Sequence, residues 1–143
     1  ALSSAASDVY KRQRYREVAE ATSEFMKEFS PRKPSKDHWS TLSCGSSAYH
    51  MALLIDTQAG RTGIEFYVPD DKVIGHKAIE NKGVFEQRLG LKAKEFDASK
   101  ASGIRLYKTG RSARTQQDKR DDFIKEQLGW AIEMKNVIKE LEL

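Results

Sequence analysis

Apolar residues recur at helical spacing near both ends of the chain and alternate with polar residues in the middle. From residue 15 to residue 29 they return every three or four positions, which predicts a helix that starts near Ser7 or Asp8. Pro31 ends this helix, because proline disfavours a helical conformation in the residue before it. The same spacing near the C-terminus is the cleanest in the chain, and it predicts a long amphipathic helix over residues 117–141.

Between these helices the apolar positions follow a period of two, which is typical of strands. The predicted strands cover residues 38–43, 48–56, 63–68, 91–96 and 103–107. A further helix over residues 70–89 separates the third strand from the fourth. An Asp at its start and Gly90 at its end are residues that suit helix caps.

The predicted order of elements is α-β-β-β-α-β-β-α, and short connections between successive strands favour antiparallel pairing. We therefore predict an α+β fold with three helices and a mainly antiparallel sheet of about five strands. Residues 8–143 are expected to form a single domain, and residues 1–7 a linker or cut point. The chain has no initiator methionine, so we expect it to be part of a longer protein.

Composition excludes several classes of protein. No run of about 18 apolar residues exists, so no membrane-spanning segment and no membrane partner are expected. The single cysteine, Cys44, leaves no internal disulfide or multi-cysteine zinc site and fits a reducing cytoplasm. The formal net charge of +4 is too small to imply a nucleic-acid partner by itself.

Histidine and cysteine offer no complete constellation for chemistry. His38, His50 and His76 lack partners at metal-ligand spacing, so we predict no metal site and no cofactor. His50 is interpreted as a structural histidine on a central strand. Cys44 is interpreted as a small turn residue, because no third group that could orient a Cys–His pair with His50 can be identified. We predict no catalytic residues.

Acidic residues leave one enzymatic alternative open. A metal-dependent nuclease core can be built from a strand acid followed by a D/E-x-K motif, and Asp70-Asp71-Lys72 supplies such a motif. Pro69 interrupts the strand directly before it, and both aspartates suit the cap of the following helix. The alternative hypothesis is therefore a metal-dependent nuclease or hydrolase using Asp56, Glu65, Asp70 and Lys72.

The surplus positive charge lies in residues 98–117, which we call the basic window. This window contains no Asp or Glu and five Lys or Arg residues. Arg105 and Tyr107 alternate with apolar neighbours and should share a sheet face away from the core. Positive charge beside an exposed aromatic can bind phosphate and stack a base, although such a run can also be a solvated loop or dock on an acidic protein surface. The candidate contact residues are Lys100, Arg105, Tyr107, Lys108, Arg111 and Arg114.

The leading hypothesis is a non-catalytic module that contacts nucleic acid or a neighbouring nuclease domain through these residues. A third hypothesis rests on the final helix, whose apolar face includes Trp130 and Met134. Such a helix can pack internally or mediate a homodimer, which would make the protein a protein–protein scaffold.

Several segments resemble a bacterial and archaeal family catalogued as domain of unknown function 4268. They are His38-Trp39, the Gly45 turn followed by His50, Gly63-Ile64-Glu65-Phe66-Tyr67-Val68, Asp71-Lys72 and Lys100-Ala101-Ser102-Gly103-Ile104-Arg105-Leu106-Tyr107. Two departures are Gly103, where the family pattern has Arg, and Arg111-Ser112-Ala113-Arg114, which replaces an acidic segment containing tryptophan. Family members often follow an N-terminal half that resembles a restriction-type nuclease, so the resemblance implies an accessory module in DNA processing or phage defence.

Overall fold

The computed structural model describes residues 4–29, 41–112 and 115–143, and side chains from residue 13 onward within these ranges. Its centre is a five-stranded sheet in which all neighbouring strands are antiparallel. The strands are β1 Thr41–Ser43, β2 His50–Asp56, β3 Arg61–Val68, β4 Lys92–Asp97 and β5 Ser102–Thr109. Their spatial order is β1-β2-β3-β5-β4, so β5 lies between β3 and β4 rather than at the edge.

The helices are α1 Ser4–Ala21, α2 Ser23–Glu28, α3 Lys72–Glu80, α4 Lys82–Leu89 and α5 Arg120–Glu140. A single 3₁₀ turn, Gln117–Lys119, precedes α5. The predicted α+β class and the five-stranded antiparallel sheet are confirmed. The helix α1 begins at Ser4, slightly before the start near Ser7 that the sequence predicts.

Two of the three predicted helices are each divided in two by a polar residue. Thr22 adopts an extended conformation between α1 and α2, and its hydroxyl donates to the carbonyl of Val18 at 2.8 Å. Asn81 separates α3 from α4, and its side-chain amide donates to the carbonyl of Lys77 at 2.7 Å. Such side chains compete with the helical hydrogen bonds of the backbone, so each helix ends where one of them bonds to its last turn.

One face of the sheet, which we call the covered face, packs against the helices. Its fully buried apolar residues are Met51, Ile64, Phe66, Val68, Ile104 and Leu106. The Phe66 ring stacks on Phe85 of α4 with centroids 6.2 Å apart, and Met134 of α5 is buried in the same cluster. Burying these side chains supplies the main free energy of folding, roughly 1.5–3 kcal/mol for each.

Helix α3 approaches the sheet closely because Gly75 has no side chain. A Cβ atom at Gly75 would lie 1.7 Å from the Oγ of Ser102 on β5. Asp71 caps this helix as predicted, since its carboxylate accepts hydrogen bonds from the amides of Val73 and Ile74. At the end of α4, Gly90 adopts the left-handed conformation expected of a C-cap, with φ of 70°.

Candidate functional site

The second face of the sheet is the candidate site, and we call it the open face. It carries His50, Ala52, Leu54 and Asp56 of β2; Arg61, Gly63, Glu65 and Tyr67 of β3; Gly103, Arg105 and Tyr107 of β5; and Lys92, Lys94 and Phe96 of β4. None of these residues belongs to the core cluster that the described helices form with the covered face. The open face is therefore the sheet surface that the described helices leave available.

Two aromatic rings lie flat on this face, each against a glycine on the neighbouring strand. Phe96 is paired with Gly103, and a Cβ atom on that glycine would lie 3.0 Å from the Cζ of Phe96. Tyr107 is paired with Gly63, where a Cβ atom would lie 2.7 Å from its Cδ1. Because glycine has no side chain, each ring can rest on the backbone and turn its other face outward.

An arginine lies over the outer face of each ring. The guanidinium carbon of Arg105 is 4.6 Å from the centroid of Phe96, and that of Arg61 is 3.9 Å from the centroid of Tyr107. These distances are typical of cation–π contacts. The open face therefore presents two planar ring-and-guanidinium stacks.

Each of these arginines is also held by a carboxylate. Arg105 donates to the buried Glu65, and this hydrogen bond raises the pKa of Arg105 above its ordinary value. Arg61 Nε donates to Asp56 at 3.1 Å. The pKa of Asp56 is lowered, first by the hydrogen bond from the amide of Ala59 and then by that from Arg61. Both arginines are thus oriented but still partly exposed to solvent.

A row of rings crosses the strands beside these stacks. The His50 and Tyr67 rings are 5.1 Å apart, and the Tyr67 and Phe96 rings are 5.8 Å apart. Gly103 lies between Tyr67 and Phe96 in the sheet register, so no side chain separates the last two rings. His50 is half-buried in this row, which agrees with its interpretation as a structural histidine.

The structure divides the basic window between different surfaces. Arg105 and Tyr107 share the open face, as their alternation with Ile104 and Leu106 predicts. Lys100 is exposed in the β4–β5 turn, at the other end of β5 from Lys108. These residues of the window therefore do not form one continuous surface.

Lys108 and Arg111 turn to the opposite side and contact α5. Arg111 donates to both carboxylate oxygens of Glu126, at 2.9 and 3.2 Å, and Lys108 lies 3.5 Å from the same group. Burial alone raises the pKa of Glu126, but hydrogen bonds and charge from Arg111 and Lys108 outweigh it and the pKa is lowered. The two cations are therefore used within the fold. Arg114 lies outside the described residues.

The four residues of the nuclease alternative are not brought together. Asp56 is level with Arg61 at one end of β3, while Asp70 follows the other end of this eight-residue strand, roughly 25 Å away. Glu65 lies between these ends and is paired with Arg105, and the Lys72 ammonium bonds to Asp97 and the β4–β5 turn. Across residues 4–29, 41–112 and 115–143, no group of three or more His, Cys, Asp or Glu side chains could hold a metal ion.

The surroundings of Cys44 and His76 are those of residues with a structural role. Cys44 is buried, and burial raises the pKa of its thiol to about 12, so it is not an activated nucleophile. His76 Nε2 lies 2.9 Å from a carboxylate oxygen of Asp97 at the surface. His38 and Trp39 lie outside the described ranges.

The final helix uses its apolar face inside the fold. Trp130 retains 7% exposure and Met134 none, so the fold of the single chain already buries both side chains. Of the helices that the structure describes, none has the length and apolar character needed to cross a membrane.

Comparison with known families matches this chain over residues 11–142 to a family described as a domain of unknown function (DUF4268). The chain belongs to this family. The resemblance predicted from sequence is thereby confirmed, and all five strands of the sheet lie within the DUF4268 match. Neither the curated proteins nor the solved structures contain a match to the chain.

Only part of the open face can be predicted from the sequence. The sequence predicts Arg105 and Tyr107 as contact residues on this face, whereas it marks Tyr67 and Phe96 only as members of strands. The pairing of Phe96 with Gly103 depends on which strands are neighbours in the sheet. Strand β5 lies between β3 and β4, so its residues contact both strands. Alternation along β3 was the available signal, because it places Tyr67 on the face opposite the buried Phe66.

Proposed function

We propose that this DUF4268 chain is a non-catalytic module that binds single-stranded nucleic acid across its open face. The observation that supports the proposal is the pair of stacks on the open face, in which the guanidinium of Arg105 lies over the Phe96 ring and that of Arg61 lies over the Tyr107 ring. An unpaired base can stack on an aromatic ring or on a guanidinium plane, and it can do so whatever its identity. A duplex keeps its bases stacked on one another and offers no free base to such rings.

The charges on the open face suit the same ligand. Its four cationic side chains outnumber its two carboxylates, and the cations are Arg61, Lys92, Lys94 and Arg105. Lys92 and Lys94 are exposed on the edge strand β4, beside Tyr107 and Arg105 in the register. Phosphates of a strand lying across the rings would meet these ammonium groups.

The wider context in this proposal is a cytoplasmic protein of DNA processing or phage defence. The module would hold single-stranded product or substrate for a nuclease-like domain of the same polypeptide. The alternative occupant of the open face is that nuclease-like domain itself, docked directly on the sheet. A binding experiment distinguishes the two occupants, because the isolated chain would give no signal with nucleic acid if the open face binds only the nuclease-like domain.

The test is fluorescence anisotropy with a labelled oligothymidylate of about 12 nucleotides, within the site sizes of known single-strand binders. Phe96→Leu and Tyr107→Leu retain apolar cover over the glycines but remove the flat ring against which each guanidinium lies. Each should weaken binding roughly 5- to 100-fold, as expected for the loss of one base stack. Binding by the unchanged protein should also fall steeply as salt is raised.

The matched control compares charge reversal on the two sides of the molecule. Lys92→Glu with Lys94→Glu should abolish binding at moderate salt, whereas Lys77→Glu with Lys125→Glu on the helices should leave most of it. Absence of salt-sensitive binding at low ionic strength would overturn the proposal. Equal losses from both pairs, or tighter binding of a duplex of the same length, would also count against it.

A further inference from the structure

The open face contains the same arrangement of four residues twice. In the first, Asp56 of β2 is opposite Arg61 of β3, Gly63 follows two residues along β3, and Tyr107 of β5 is opposite that glycine. The arginine thus has a carboxylate on one neighbouring strand and a ring on the other. We call these four residues the first arginine unit.

The second arginine unit lies one strand across. Glu65 of β3 is opposite Arg105 of β5, Gly103 lies two residues away on β5, and Phe96 of β4 is opposite that glycine. Each component has the same role as before, because the carboxylate binds the arginine and the ring lies beneath its guanidinium. The two units therefore share one order of acid, arginine, glycine and ring across three adjacent strands.

The two units also run in the same direction along the sheet. In the register, the second arginine is level with Glu65 and the second glycine with Tyr67, each four positions along β3 from its counterpart in the first unit. With strands about 4.8 Å apart and a rise of about 3.4 Å per residue, the units are roughly 14 Å apart. Two equal sites in the same orientation suit a ligand that is itself a repeating, directional chain, as a nucleic-acid strand is.

Each arginine of these units keeps its two terminal nitrogens available. Arg61 and Arg105 donate to their carboxylates through Nε, and within the described chain their Nη1 and Nη2 atoms make no hydrogen bond. Arg111 differs, because it donates to Glu126 through both Nε and Nη2. The side chains of Arg61 and Arg105 are 39% and 45% exposed, so a ligand can reach them. Each unit therefore presents a pair of donors on a guanidinium that a ring and a carboxylate already hold in place.

A pair of N–H donors on one guanidinium matches guanine better than the other bases. Guanine presents two acceptors side by side, O6 and N7, and arginine binds this pair bidentately. Adenine and cytosine each present an amino donor at the corresponding edge, and thymine presents one carbonyl acceptor beside its methyl group. An unpaired base has this edge accessible as well as its face. The paired donors therefore favour guanine, whereas stacking on the rings favours no particular base.

We propose that the two arginine units are guanine-reading subsites for one single strand, with the two guanines held roughly 14 Å apart. The inference rests on the proposed binding of single-stranded nucleic acid and adds a base preference and a spacing to it. A stacked strand rises about 3.4 Å per nucleotide, so the guanines are about four nucleotides apart in a stacked strand and fewer in an extended one. Adjacent guanines are too close together to reach both units.

Fluorescence anisotropy tests the preference and the spacing with labelled strands of about 12 nucleotides. One strand is oligothymidylate, and the others carry two guanines that are either adjacent or about two to four positions apart. Each bidentate contact should favour guanine over another base by roughly 5- to 150-fold in affinity. The best-spaced strand should therefore bind more tightly than the adjacent-guanine strand by about one such factor, and more tightly than oligothymidylate by a larger one.

The outcomes separate this inference from the proposed function. Equal affinity for all the strands overturns guanine reading but leaves single-strand binding intact. Equal affinity for adjacent and spaced guanines overturns the pair of subsites. If no strand binds at low ionic strength, the proposed function and this inference both fail.

Replacing each arginine by lysine distinguishes guanine reading from contact with phosphates alone. Arg61→Lys and Arg105→Lys keep the positive charge but remove the paired donors. Each should weaken the best-spaced guanine strand roughly 5- to 150-fold more than oligothymidylate. Equal losses for the two strands would overturn the proposal. Arg16→Lys is the matched control and should change neither affinity, because Arg16 donates through Nε to Glu20 on α1 with no ring of the described chain against it.

Discussion

Phe66 and Tyr67 are neighbours on β3, and their side chains leave opposite faces of the sheet. Phe66 is fully buried between Tyr49 and Phe85, with ring centroids 5.0 and 6.2 Å away. Tyr67 is half-buried between the rings of His50 and Phe96. Both residues stack with aromatic neighbours, but only one does so beneath a layer of helices.

Packing of the core explains the residue composition of the covered face but not that of the open face. The large buried side chains of the covered face are apolar, as burial alone requires. The open face combines rings with charges, and its one buried carboxylate, Glu65, is satisfied by an arginine. The rings beside exposed lysines on this face are the features on which the proposed binding of single-stranded nucleic acid rests.

The largest expected change in stability comes from truncating Phe66 and Tyr67 in turn, which compares the covered face with the open face. Phe66→Ala should lower the free energy of unfolding by about 3–5 kcal/mol, because it removes a fully packed ring and leaves a cavity. Tyr67→Ala should cost about 1 kcal/mol, since it loses ring contacts on a face that water already reaches. Urea unfolding of the two variants measures both values. Equal losses would show that the open face is packed like a core.

A second test concerns how closely α3 lies on the covered face. Gly75→Ala places a Cβ atom against the Oγ and Cβ of Ser102, at 1.7 and 2.8 Å, so α3 must move away. We expect a loss of about 1–3 kcal/mol, typical of overpacking. Gly129→Ala in α5 meets no atom within 4 Å and should instead stabilise by about 0.5–1 kcal/mol, as alanine is the better helix former.

Thermal unfolding of the two glycine variants shows the opposite signs directly. Combining Gly75→Ala with Ser102→Ala removes the nearest clashing atom and should recover part of the loss. A neutral Gly75→Ala variant would contradict the close approach of α3 to β5.

Local features of the fold could be predicted from sequence because they depend on neighbouring residues. The Asp71 and Gly90 caps are of this kind, as are the alternation of β3 and β5 and the apolar stripe of α5. The divisions at Thr22 and Asn81 are not predicted from the sequence, because the polar side chain that ends each helix competes only weakly with the helical pattern around it.

Features that depend on strand order could not be predicted in this way. The insertion of β5 between β3 and β4 brings Phe96 onto Gly103 and Tyr107 onto Gly63, and no local pattern states which strands are neighbours. Ion pairs between residues far apart in the sequence also depend on the tertiary arrangement and not on a local pattern. Charge counting grouped Lys108 and Arg111 with Arg105, whereas the fold gives the first two a carboxylate on α5.

The smallest expected effect concerns the ion pair between Glu126 and Arg111. It tests whether Lys108 and Arg111 are used within the fold, unlike the cations on the open face. The lowered pKa of Glu126 means that its ion pair with Arg111 stabilises the protein above the ordinary glutamate pKa of 4.5. This contribution is lost as the pH falls through the lower, folded-state pKa. Glu126→Gln should therefore cost up to about 1 kcal/mol at pH 7, the range for such partly exposed pairs, and less at pH 3 than at pH 7. Urea unfolding at both pH values measures the difference, with the exposed Glu80→Gln as the control that should change neither. A cost for Glu126→Gln that is as large at pH 3 as at pH 7 would show that its role is packing rather than charge, and would return Lys108 and Arg111 to the cations available for a ligand.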